Sequence, residues 1–543
     1  MLKSTPSIHQ QSLVVGSRIC VGSHFGTIRF HGAVPAGSGN LWYGVEWDDA
    51  TRGKHSGTHG GVEYFKTSVP NSGTFIREAK VTDECLPRSF IDAMSEKYLA
   101  AQPKDTVTRV GWSAGGVEVE TVGWDKIARK VKQGDRLREV GVADMRVGFR
   151  GGLPGEVRQM FPAIVDLDMS RALFRRWRDV AEICRELPEL ESLRLAYNRF
   201  APFREEEKED GEAEPAGDVI RGAFANVKAL TLLGTTMAWT EVQVVAKWFP
   251  ALQELHFGFN QLSVFGAAVK STGLESIRVL ILEHNGLSSW DEIRRLGKLP
   301  ALTALMLNGN AIRSIEPLSS DGSEFTSLKS LNISDNLLDS WTCIHSLNTF
   351  PALTEVRVRR NPVLAQLRPE DVHSILVARL SKVDMLNGNE VTPRFRRDAE
   401  LFYLTRCATE LAAAVSASTS STSSTPLPLS FALTHPRYQD LVAIHGAPAV
   451  APKSATSNIL KDRILLITFS YDGKVSRKKI PANMNVRPLR VLVSRVFKIA
   501  PAATVTLTKV GKDGGGEVTL GDDLRDVGFY GLECGDTIRL DVK

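Results

Sequence analysis

A repeated asparagine is the feature that most restricts what this chain can fold into. Within one motif, successive spacings are 25, 25, 26 and 25 residues, and the asparagines are Asn260, Asn285, Asn310, Asn336 and Asn361. The surrounding segments, such as "IRVLILEHNGL" and "LTALMLNGNAI", fit the pattern L-x-x-L-x-L-x-x-N-x-L. A unit of this size cannot bury its own leucines, so consecutive units must stack and share one core. The period therefore predicts a solenoid of short parallel strands.

Weaker copies of the motif precede these five. Asn198 in "LESLRLAYN" and Thr235 in "VKALTLLGT" occupy the asparagine position, and "AIVDLDMS" is a degenerate first copy, which gives eight repeats. These segments resemble a leucine-rich repeat array, in which we expect the asparagine side chains to hydrogen-bond the backbone of neighbouring coils. The segment "ILVARLSKVDMLNGNEVTPRFRRDAELFYL" resembles the C-terminal cap of such arrays. The repeat domain with its cap is predicted over 161–410.

An array of this kind presents a concave face of parallel strands, whose outward positions are available to a partner. Its side chains here are apolar in the middle and basic toward the C-terminal end, which suits a protein surface rather than nucleic acid. We expect the contacts to come from His256, Ile281, Glu283, Met306, Asn308, Asn332, Arg357 and Arg359.

The N-terminal segment from 15 to 81 is predicted to form short strands separated by glycines. Aromatic and β-branched residues bounded by Gly, Asn and Asp occur in "GTIRFHG", "WYGVEWDD" and "GTFIRE". The turn "RGKHSG" resembles part of a phosphate loop, but that motif needs glycine five positions before Gly53 and Ser or Thr after Lys54. Asp48 and His55 occupy those places. The motif therefore does not predict a nucleotide site.

In this order the segments resemble a CAP-Gly domain, predicted here over 12–84. The family's signature turn is Gly-Lys-Asn-Asp-Gly, and in this chain it reads Gly53, Lys54, His55, Ser56 and Gly57. The resemblance implies a small all-β fold that binds acidic C-terminal tails ending in an aromatic residue, such as Glu-Glu-Tyr of α-tubulin. Backbone N–H groups and a lysine are suitable partners for a terminal carboxylate. An apolar groove for the terminal ring is expected from Phe25, Trp42, Trp47, Phe65 and Phe75.

The C-terminal part contains a linker and a further domain. The stretch "AAAVSASTSSTSSTPLPLS" predicts a flexible tether, and "HPRYQDLVAIHG" predicts a short docking helix, which together give a linker region over 411–460. From 461 to 543 a hairpin around Asp472 and Gly473, then a helix and further strands, resembles a ubiquitin-like domain. The chain ends in Asp-Val-Lys rather than Gly-Gly, so we expect an interaction module that is not conjugated.

Two segments carry weaker signals. Residues 85–160 are predicted to connect the N-terminal module to the repeats and to lead into them, with a strand in "VEVETVGWDKIARK". The segment from Arg204 to Asp218 has eight acidic and two basic residues. Its charge and its lack of large apolar side chains predict a loop inserted in one repeat.

Composition narrows the function classes. The net charge of +5 over 543 residues, without a dense Lys/Arg tract, does not suggest a nucleic-acid partner. No apolar run is long enough to span a bilayer, so no membrane partner is expected. The six cysteines form no CxxC pair and the histidines no HExxH motif, so we expect no metal and no cofactor. With no recognisable catalytic constellation, the chain is predicted not to be an enzyme and to act in the cytoplasm.

The order of the three modules resembles the tubulin-folding cofactor E family of tubulin-specific chaperones. That resemblance implies partners: α-tubulin, tubulin-folding cofactors B, C and D, and β-tubulin, with a role in assembling and dissociating the αβ heterodimer at the cytoskeleton. Two alternatives remain open at this point. The CAP-Gly module alone is typical of a microtubule-associated adaptor, and the last domain alone is typical of a scaffold for the proteasome or ubiquitin machinery.

Overall fold

The structure, a computed structural model, describes residues 13–34, 39–99, 134–202, 220, 222–266, 273–319, 321–417, 429–448, 464–500, 503–510 and 518–542. The chain divides into two compact units, Met1–Ala449 and Val450–Lys543. The acidic loop predicted at 204–218 and the strand predicted in "VEVETVGWDKIARK" lie outside the described residues.

The N-terminal module is an antiparallel sheet with the order β1-β2-β3-β6 and a separate β4-β5 hairpin. Its strands are β1 (Arg18–Val21), β2 (His24–Ala33), β3 (Leu41–Trp47), β4 (Thr58–His59), β5 (Val62–Glu63) and β6 (Gly73–Arg77). Ile19, Ile28, Tyr43, Val45 and Trp47 form its core. A bulge in β2 places Ile28 opposite Val45 but Phe30 opposite Gly44, so Ile28 and Phe30 face opposite sides of the sheet.

The repeats form one continuous sheet. The strand β7 (Arg88–Ser89) precedes this sheet in the chain and is not part of it. The parallel strands of the sheet are β8 (Glu139–Gly141), β10 (Asp166–Asp168), β11 (Ser192–Arg194), β12 (Ala229–Thr231), β13 (Glu254–His256), β14 (Val279–Ile281), β15 (Ala304–Met306), β16 (Ser330–Asn332), β17 (Glu355–Arg357) and β18 (Met385–Leu386). The last strand, β19 (Asn389–Glu390), pairs with β18 in the antiparallel direction. The strand β9 (Val147–Phe149) pairs with β7. Strands β10 to β17 are the eight predicted repeats.

The array is longer at both ends than the motif indicated. Strand β8 pairs in parallel with β10, inside the segment predicted only as a lead-in, and β18 pairs in parallel with β17. Around β8 the chain carries Val140 and Val142 as buried residues where the motif has leucine, and it has no asparagine after them. The parallel sheet therefore extends beyond the segment in which the sequence motif can be recognised.

Each motif asparagine joins neighbouring coils by hydrogen bonds, as expected. Asn310 Nδ2 donates to Leu282 O and Leu307 O, both at 2.9 Å, and its Oδ1 accepts from Leu287 N at 3.2 Å. Asn336 and Asn361 make equivalent bonds. These side chains are buried, so the bonds satisfy backbone groups that water cannot reach.

Short helices return the chain between strands and cover the opposite side of the core. They are Phe90–Met94, Glu156–Met160, Trp177–Cys184, Trp239–Ala246, Trp290–Arg294 and Trp341–Ser346. The side chains of Trp177, Trp239 and Trp290 begin three of these helices and are almost completely buried. Each large ring fills the space between adjacent coils, which single repeats could not enclose alone.

The cap consists of the helices Pro369–Arg379 and Pro393–Ala417, followed by Leu429–Thr434 and Tyr438–His445. The predicted linker start at 411 is wrong, because the helix Pro393–Ala417 continues through the alanines at 412–414, and alanine is the strongest helix former. The predicted docking helix exists as Tyr438–His445, and its Leu441 is completely buried against Tyr403 and Leu404. His445 Nε2 lies 2.8 Å from Glu400 Oε2, which fixes the helix end.

The second unit is a mixed sheet with the order β21-β20-β24-β22-β23. Its strands are β20 (Ile464–Tyr471), β21 (Lys474–Pro481), β22 (Val505–Val510), β23 (Val518–Thr519) and β24 (Thr537–Val542), and its helix is Val486–Val496. The first and last strands run parallel in the middle of the sheet, and the helix packs Val486, Leu489 and Val493 into the core. The predicted fold class is confirmed: a small all-β module, an α/β repeat solenoid and an α+β β-grasp domain.

Within the described ranges, no helix has the length and apolar character needed to cross a membrane. The same ranges hold no cluster of three or more His, Cys, Asp or Glu side chains arranged for a metal ion. All six cysteines are unpaired, and five of them are buried.

Candidate peptide-binding site

The glycine turn at 53–57 is held against the start of β6. The N–H groups of Lys54 and His55 both donate to Gly73 O, at 2.7 and 3.2 Å, and Gly73 N donates back to His55 O at 2.8 Å. A side chain at Gly53 would have its Cβ 2.0 Å from Asn71 O. The turn can therefore lie this close to β6 only because residue 53 has no Cβ.

Gly57 closes the turn in a backbone conformation that favours glycine, with φ of +105°. A Cβ at this position would lie 1.8 Å from Phe65 O. The Gly57 carbonyl also accepts a hydrogen bond from Tyr64 N at 3.0 Å, so the turn and the segment after β5 are tied together. Glycine is therefore required at both positions of the motif, because a side chain at either would clash with the neighbouring backbone.

Lys54 is the cation that this turn presents to solvent. Its side chain is exposed, and no carboxylate of the described residues lies within ion-pair distance of its ammonium group. The nearby Lys66, by contrast, pairs with Glu63 at 3.6 Å. An unpaired lysine on a rigid turn can bind an external carboxylate without first breaking an internal ion pair.

His55 and Ser56, which replace the Asn and Asp of the CAP-Gly signature, hold the turn internally. His55 Nδ1 accepts the Gly57 N–H at 3.0 Å, and Ser56 Oγ accepts the Asn71 N–H at 2.9 Å. Accepting through Nδ1 requires an unprotonated ring nitrogen. Burial lowers the pKa of His55 below its ordinary value of 6.5, and the nearby His59 lowers it further. Both effects favour the neutral ring that this bond needs.

This bond makes the stability of the turn depend on pH. Because the pKa of His55 is lower folded than unfolded, its contribution is complete above pH 6.5 and is lost as the pH falls from there through the folded pKa. NMR titration of the ring is therefore expected to give a midpoint below 6.5. His55→Asn, which retains an acceptor but does not titrate, should remove this part of the pH dependence of unfolding. A His55 midpoint at or above 6.5 would contradict the assignment.

An aromatic cluster lies beside the turn. The ring centroid of Phe75 is 4.9 Å from that of His55 and 5.5 Å from that of Phe65. Phe30 and Tyr64 complete the cluster, with Tyr64 5.2 Å from Phe30 and 5.5 Å from Phe75. Phe75 is half-buried, so one part of its ring remains available to a ligand. The cluster offers an apolar surface beside the turn that carries Lys54.

The absence of a side chain at Gly44 makes room for this cluster. Gly44 pairs with Phe75 across β3 and β6, and a Cβ on it would lie 2.4 Å from the Phe65 ring. Trp42, two residues earlier on the same face of β3, lies under the guanidinium of Arg77 at 5.4 Å from its ring centroid. The structure thus brings Phe65, Phe75 and Trp42 to one face of the sheet.

Two of the five predicted groove residues lie elsewhere. Trp47 is in the core on the other face of β3, where it packs with Ile28 and Val45. Phe25 is buried against Cys20 and Leu173, at the contact with the repeats. Alternation along a strand separates the faces, but the sequence did not show which face carries the site. Phe25 and Trp47 are therefore removed from the groove.

Phe30 and Tyr64 were not predicted, although they belong to the cluster, and neither was His59, whose ring centroid lies 6.1 Å from that of Phe75. Simple alternation would place Phe30 beside Ile28 in the core, and only the bulge at Arg29 turns it to the opposite face. Tyr64 directly precedes the predicted Phe65 in "VEYF". This position next to Phe65 in the sequence was the one indication that Tyr64 could belong to the site.

The expected contact residues on the repeat strands are aligned in two rows, which we call the strand face. Parallel register places His256 beside Ile281, Ile281 beside Met306, Met306 beside Asn332, and Asn332 beside Arg357. In the second row, Asn308 donates to Glu283 at 3.1 Å and accepts from Asn332 at 3.1 Å. Arg359 donates to Asn387 O at 2.6 Å. Glu283, Asn308 and Asn332 are therefore oriented by one another, while Ile281 and Met306 are half-buried.

The N-terminal module contacts the first repeats through a defined set of residues, the junction. Phe25 packs on Leu173, and the guanidinium of Arg171 lies 5.7 Å from the Phe25 ring centroid. Asp48 receives two hydrogen bonds from Arg18, at 2.7 and 2.6 Å, and lies 4.0 Å from Arg199 of the repeats. Burial raises the pKa of Asp48, but the charge and hydrogen bonds of Arg18, together with the charges of Arg199 and Arg171, outweigh burial and hold the pKa below its ordinary value.

Comparison with known proteins agrees with this description. A CAP-Gly domain matches residues 15–81. Human tubulin-specific chaperone E is 30% identical over 536 residues, covering 97% of this chain and 98% of that protein. Tubulin-folding cofactor E of Arabidopsis thaliana is 27% identical and covers 90% of each chain. The solution structure of the C-terminal ubiquitin-like domain of mouse tubulin-specific chaperone E matches 16% of this chain and 91% of that chain, with 24% identity and a TM-score of 0.14.

The similarity to the human protein extends over all three modules in the same order, and it leaves almost no part of either protein uncovered. The chain therefore belongs to the tubulin-specific chaperone E family.

Proposed function

We propose that the chain is a tubulin-folding cofactor that binds α-tubulin at two places. The turn at Lys54 would hold the acidic, aromatic-ended C-terminal tail, and the strand face would hold the folded body. The observation that carries the first assignment is an exposed Lys54, without an ion-pair partner among the described residues, on a glycine turn whose His55 ring lies 4.9 Å from the half-buried ring of Phe75. The family name of the relatives supports the choice of tubulin as the partner.

A short tail alone would bind weakly. Each hydrogen bond to a charged group contributes about 1.5–3 kcal/mol, part of which is lost to the entropy of association. A three-residue ligand is then expected to bind with roughly micromolar affinity. A second contact on the same partner can raise the apparent affinity by roughly a hundred- to ten-thousandfold. The strand face supplies such a surface, with the apolar Ile281 and Met306 at its centre.

Lys54→Ala is expected to weaken binding of a peptide ending in Glu-Glu-Tyr by about tenfold, because one charge-assisted contact is worth about 1.5 kcal/mol or more. Isothermal titration calorimetry on the full chain measures this. Lys66→Ala is the matched control, since Lys66 is an exposed lysine near the turn that already pairs with Glu63. Equal affinities for the wild-type and Lys54→Ala chains would reject the assignment of the tail site.

The further partners, β-tubulin and tubulin-folding cofactors B, C and D, follow from the family resemblance and remain part of the proposal. The relatives are named as chaperones or folding cofactors, which agrees with a role that is not enzymatic. Co-sedimentation tests the adaptor alternative. A folding cofactor is expected to stay with soluble tubulin, whereas recovery of the chain in the microtubule pellet would favour a microtubule-associated adaptor in the cytoskeleton.

A further inference from the structure

The edge strand of the second unit is unusually basic. Among the described residues, strand β21 lies at the end of the sheet and pairs on one side only, with β20. It carries Lys474, Arg477, Lys478 and Lys479, all exposed. Across the ranges that the structure describes, none of these four side chains lies within ion-pair distance of a carboxylate.

Four carboxylates of this unit, Asp522, Asp523, Asp536 and Asp541, pair with cations outside β21. Arg490 pairs with Asp523 at 2.6 Å, and Lys509 pairs with Asp536 at 2.9 Å. Among the described residues, the charge on β21 is therefore not compensated by an ion pair. Such a surface attracts an acidic partner and can raise its rate of association.

We propose that β21 binds a run of consecutive acidic residues in an extended peptide. Strand register shows why the acids should be consecutive. Arg477 and Lys479 lie opposite Thr468 and Leu466 on one face of the sheet, whereas Lys474 and Lys478 occupy alternate positions that point to the other face. A peptide added along the edge would present its successive side chains to the two faces in turn. Acids at every position can then meet cations on both faces.

Apolar side chains on the same strands favour a role in binding a peptide over a role only in preventing edge-to-edge aggregation. Lysines on an edge strand can simply prevent aggregation, and an edge kept for that purpose avoids exposed apolar residues. Here Val475, between Lys474 and the three consecutive cations of the strand, is 65% exposed, and Leu466, paired with Lys479, is 37% exposed. Contact with these side chains would add to the charge attraction.

The backbone of β21 can contribute as well. An edge of eight residues is about 26 Å long and leaves alternate N–H and C=O groups without a strand partner. A peptide can pair with these groups at any point along its length, so this site does not require a free C-terminus. In that respect it differs from the turn at Lys54, and it is independent of the function proposed for that turn.

The test uses the full chain and a fluorescent peptide of eight glutamates whose two termini are blocked. Fluorescence anisotropy should show saturable binding, and the triple variant Arg477→Glu, Lys478→Glu, Lys479→Glu should weaken it by at least about tenfold. The matched control is Arg487→Glu, Arg495→Glu, Lys498→Glu, which makes the same change in net charge at exposed cations on or beside the helix Val486–Val496. The control is expected to lower affinity less than threefold, and Lys54→Ala should leave it unchanged.

Several results would overturn the proposal. Equal losses in the two triple variants would mean attraction by net charge without a site. An alternating Glu-Ser peptide that binds as well as a block of glutamates of the same charge would contradict the two-face geometry. Tighter, β21-dependent binding of single-stranded RNA or of anionic vesicles would replace the peptide with another class of partner. The neutral variant Arg477→Gln, Lys478→Gln, Lys479→Gln, expected to weaken binding less than charge reversal, guards against an effect of misfolding.

Discussion

Gly57→Ala is expected to weaken binding of the aromatic-ended tail peptide by roughly a hundredfold. Alanine at a positive φ and a Cβ placed 1.8 Å from Phe65 O both oppose the native turn. Backbone strain of this kind costs about 1–3 kcal/mol, and the clash must be relieved by moving the segment that holds Phe65. A total of about 3 kcal/mol corresponds to roughly a hundredfold loss of affinity. Calorimetry with the peptide ending in Glu-Glu-Tyr measures it.

Gly60→Ala provides the matched control for this experiment. Gly60 also has a positive φ, of +59°, but a Cβ there would meet nothing within 4 Å. It therefore carries the conformational cost without the clash, and we expect it to change peptide affinity by less than about threefold. If Gly57→Ala binds as tightly as Gly60→Ala, the close contact with Phe65 does not determine the shape of the site.

Asn285→Ala is expected to destabilise the repeat array by about 4 kcal/mol, because it removes four buried hydrogen bonds at once. Asn285 Nδ2 donates to Phe257 O and Leu282 O, at 2.9 and 3.2 Å. Its Oδ1 accepts from Asn260 N and Leu262 N, at 2.9 and 3.1 Å. The substitution leaves backbone groups of two coils without partners. Urea unfolding followed by circular dichroism measures the change in midpoint.

Two further variants separate the hydrogen bonds from the loss of volume. Asn285→Thr should be less harmful than Asn285→Ala, since the array already carries Thr235 at this position, where its hydroxyl lies 3.2 Å from Leu232 O. Asn308→Ala, on the half-buried strand face, should cost less than about 1 kcal/mol. A cost for Asn285→Ala no larger than that for Asn308→Ala would show that the asparagine bonds are not what joins the coils.

The repeat core was predictable because the same motif recurs many times in the sequence at a constant spacing. Each unit repeats the same leucine and asparagine positions, so one uncertain copy such as "AIVDLDMS" is supported by its neighbours. The strands β8 and β18 have no such support, because valines replace leucines at β8 and the cap follows β18. The start of the linker was misjudged for a similar reason: alanine-rich sequence without large side chains is compatible with both a tether and the continuing helix Pro393–Ala417.

In the tail site, the glycine turn could be predicted from the sequence, but the aromatic groove could be predicted only in part. The glycines around Lys54 are fixed by local backbone geometry, which a short motif can encode. The faces of the aromatic residues depend on pairing between distant strands and on one bulge in β2. That bulge placed Phe30 in the cluster, and strand pairing placed Trp47 in the core. Neither outcome can be read from alternation along a single strand.

The junction has a consequence for which partners the chain can accept. Phe25 on Leu173 and Asp48 beside Arg199 hold the N-terminal module against the first repeats. If both surfaces engage one molecule, the path from Lys54 to the strand face has a set length. A partner whose terminal segment is shorter than this path could reach only one surface, and a much longer segment would lose effective concentration. The chain would thus select its clients by the length of the segment that joins body to terminus.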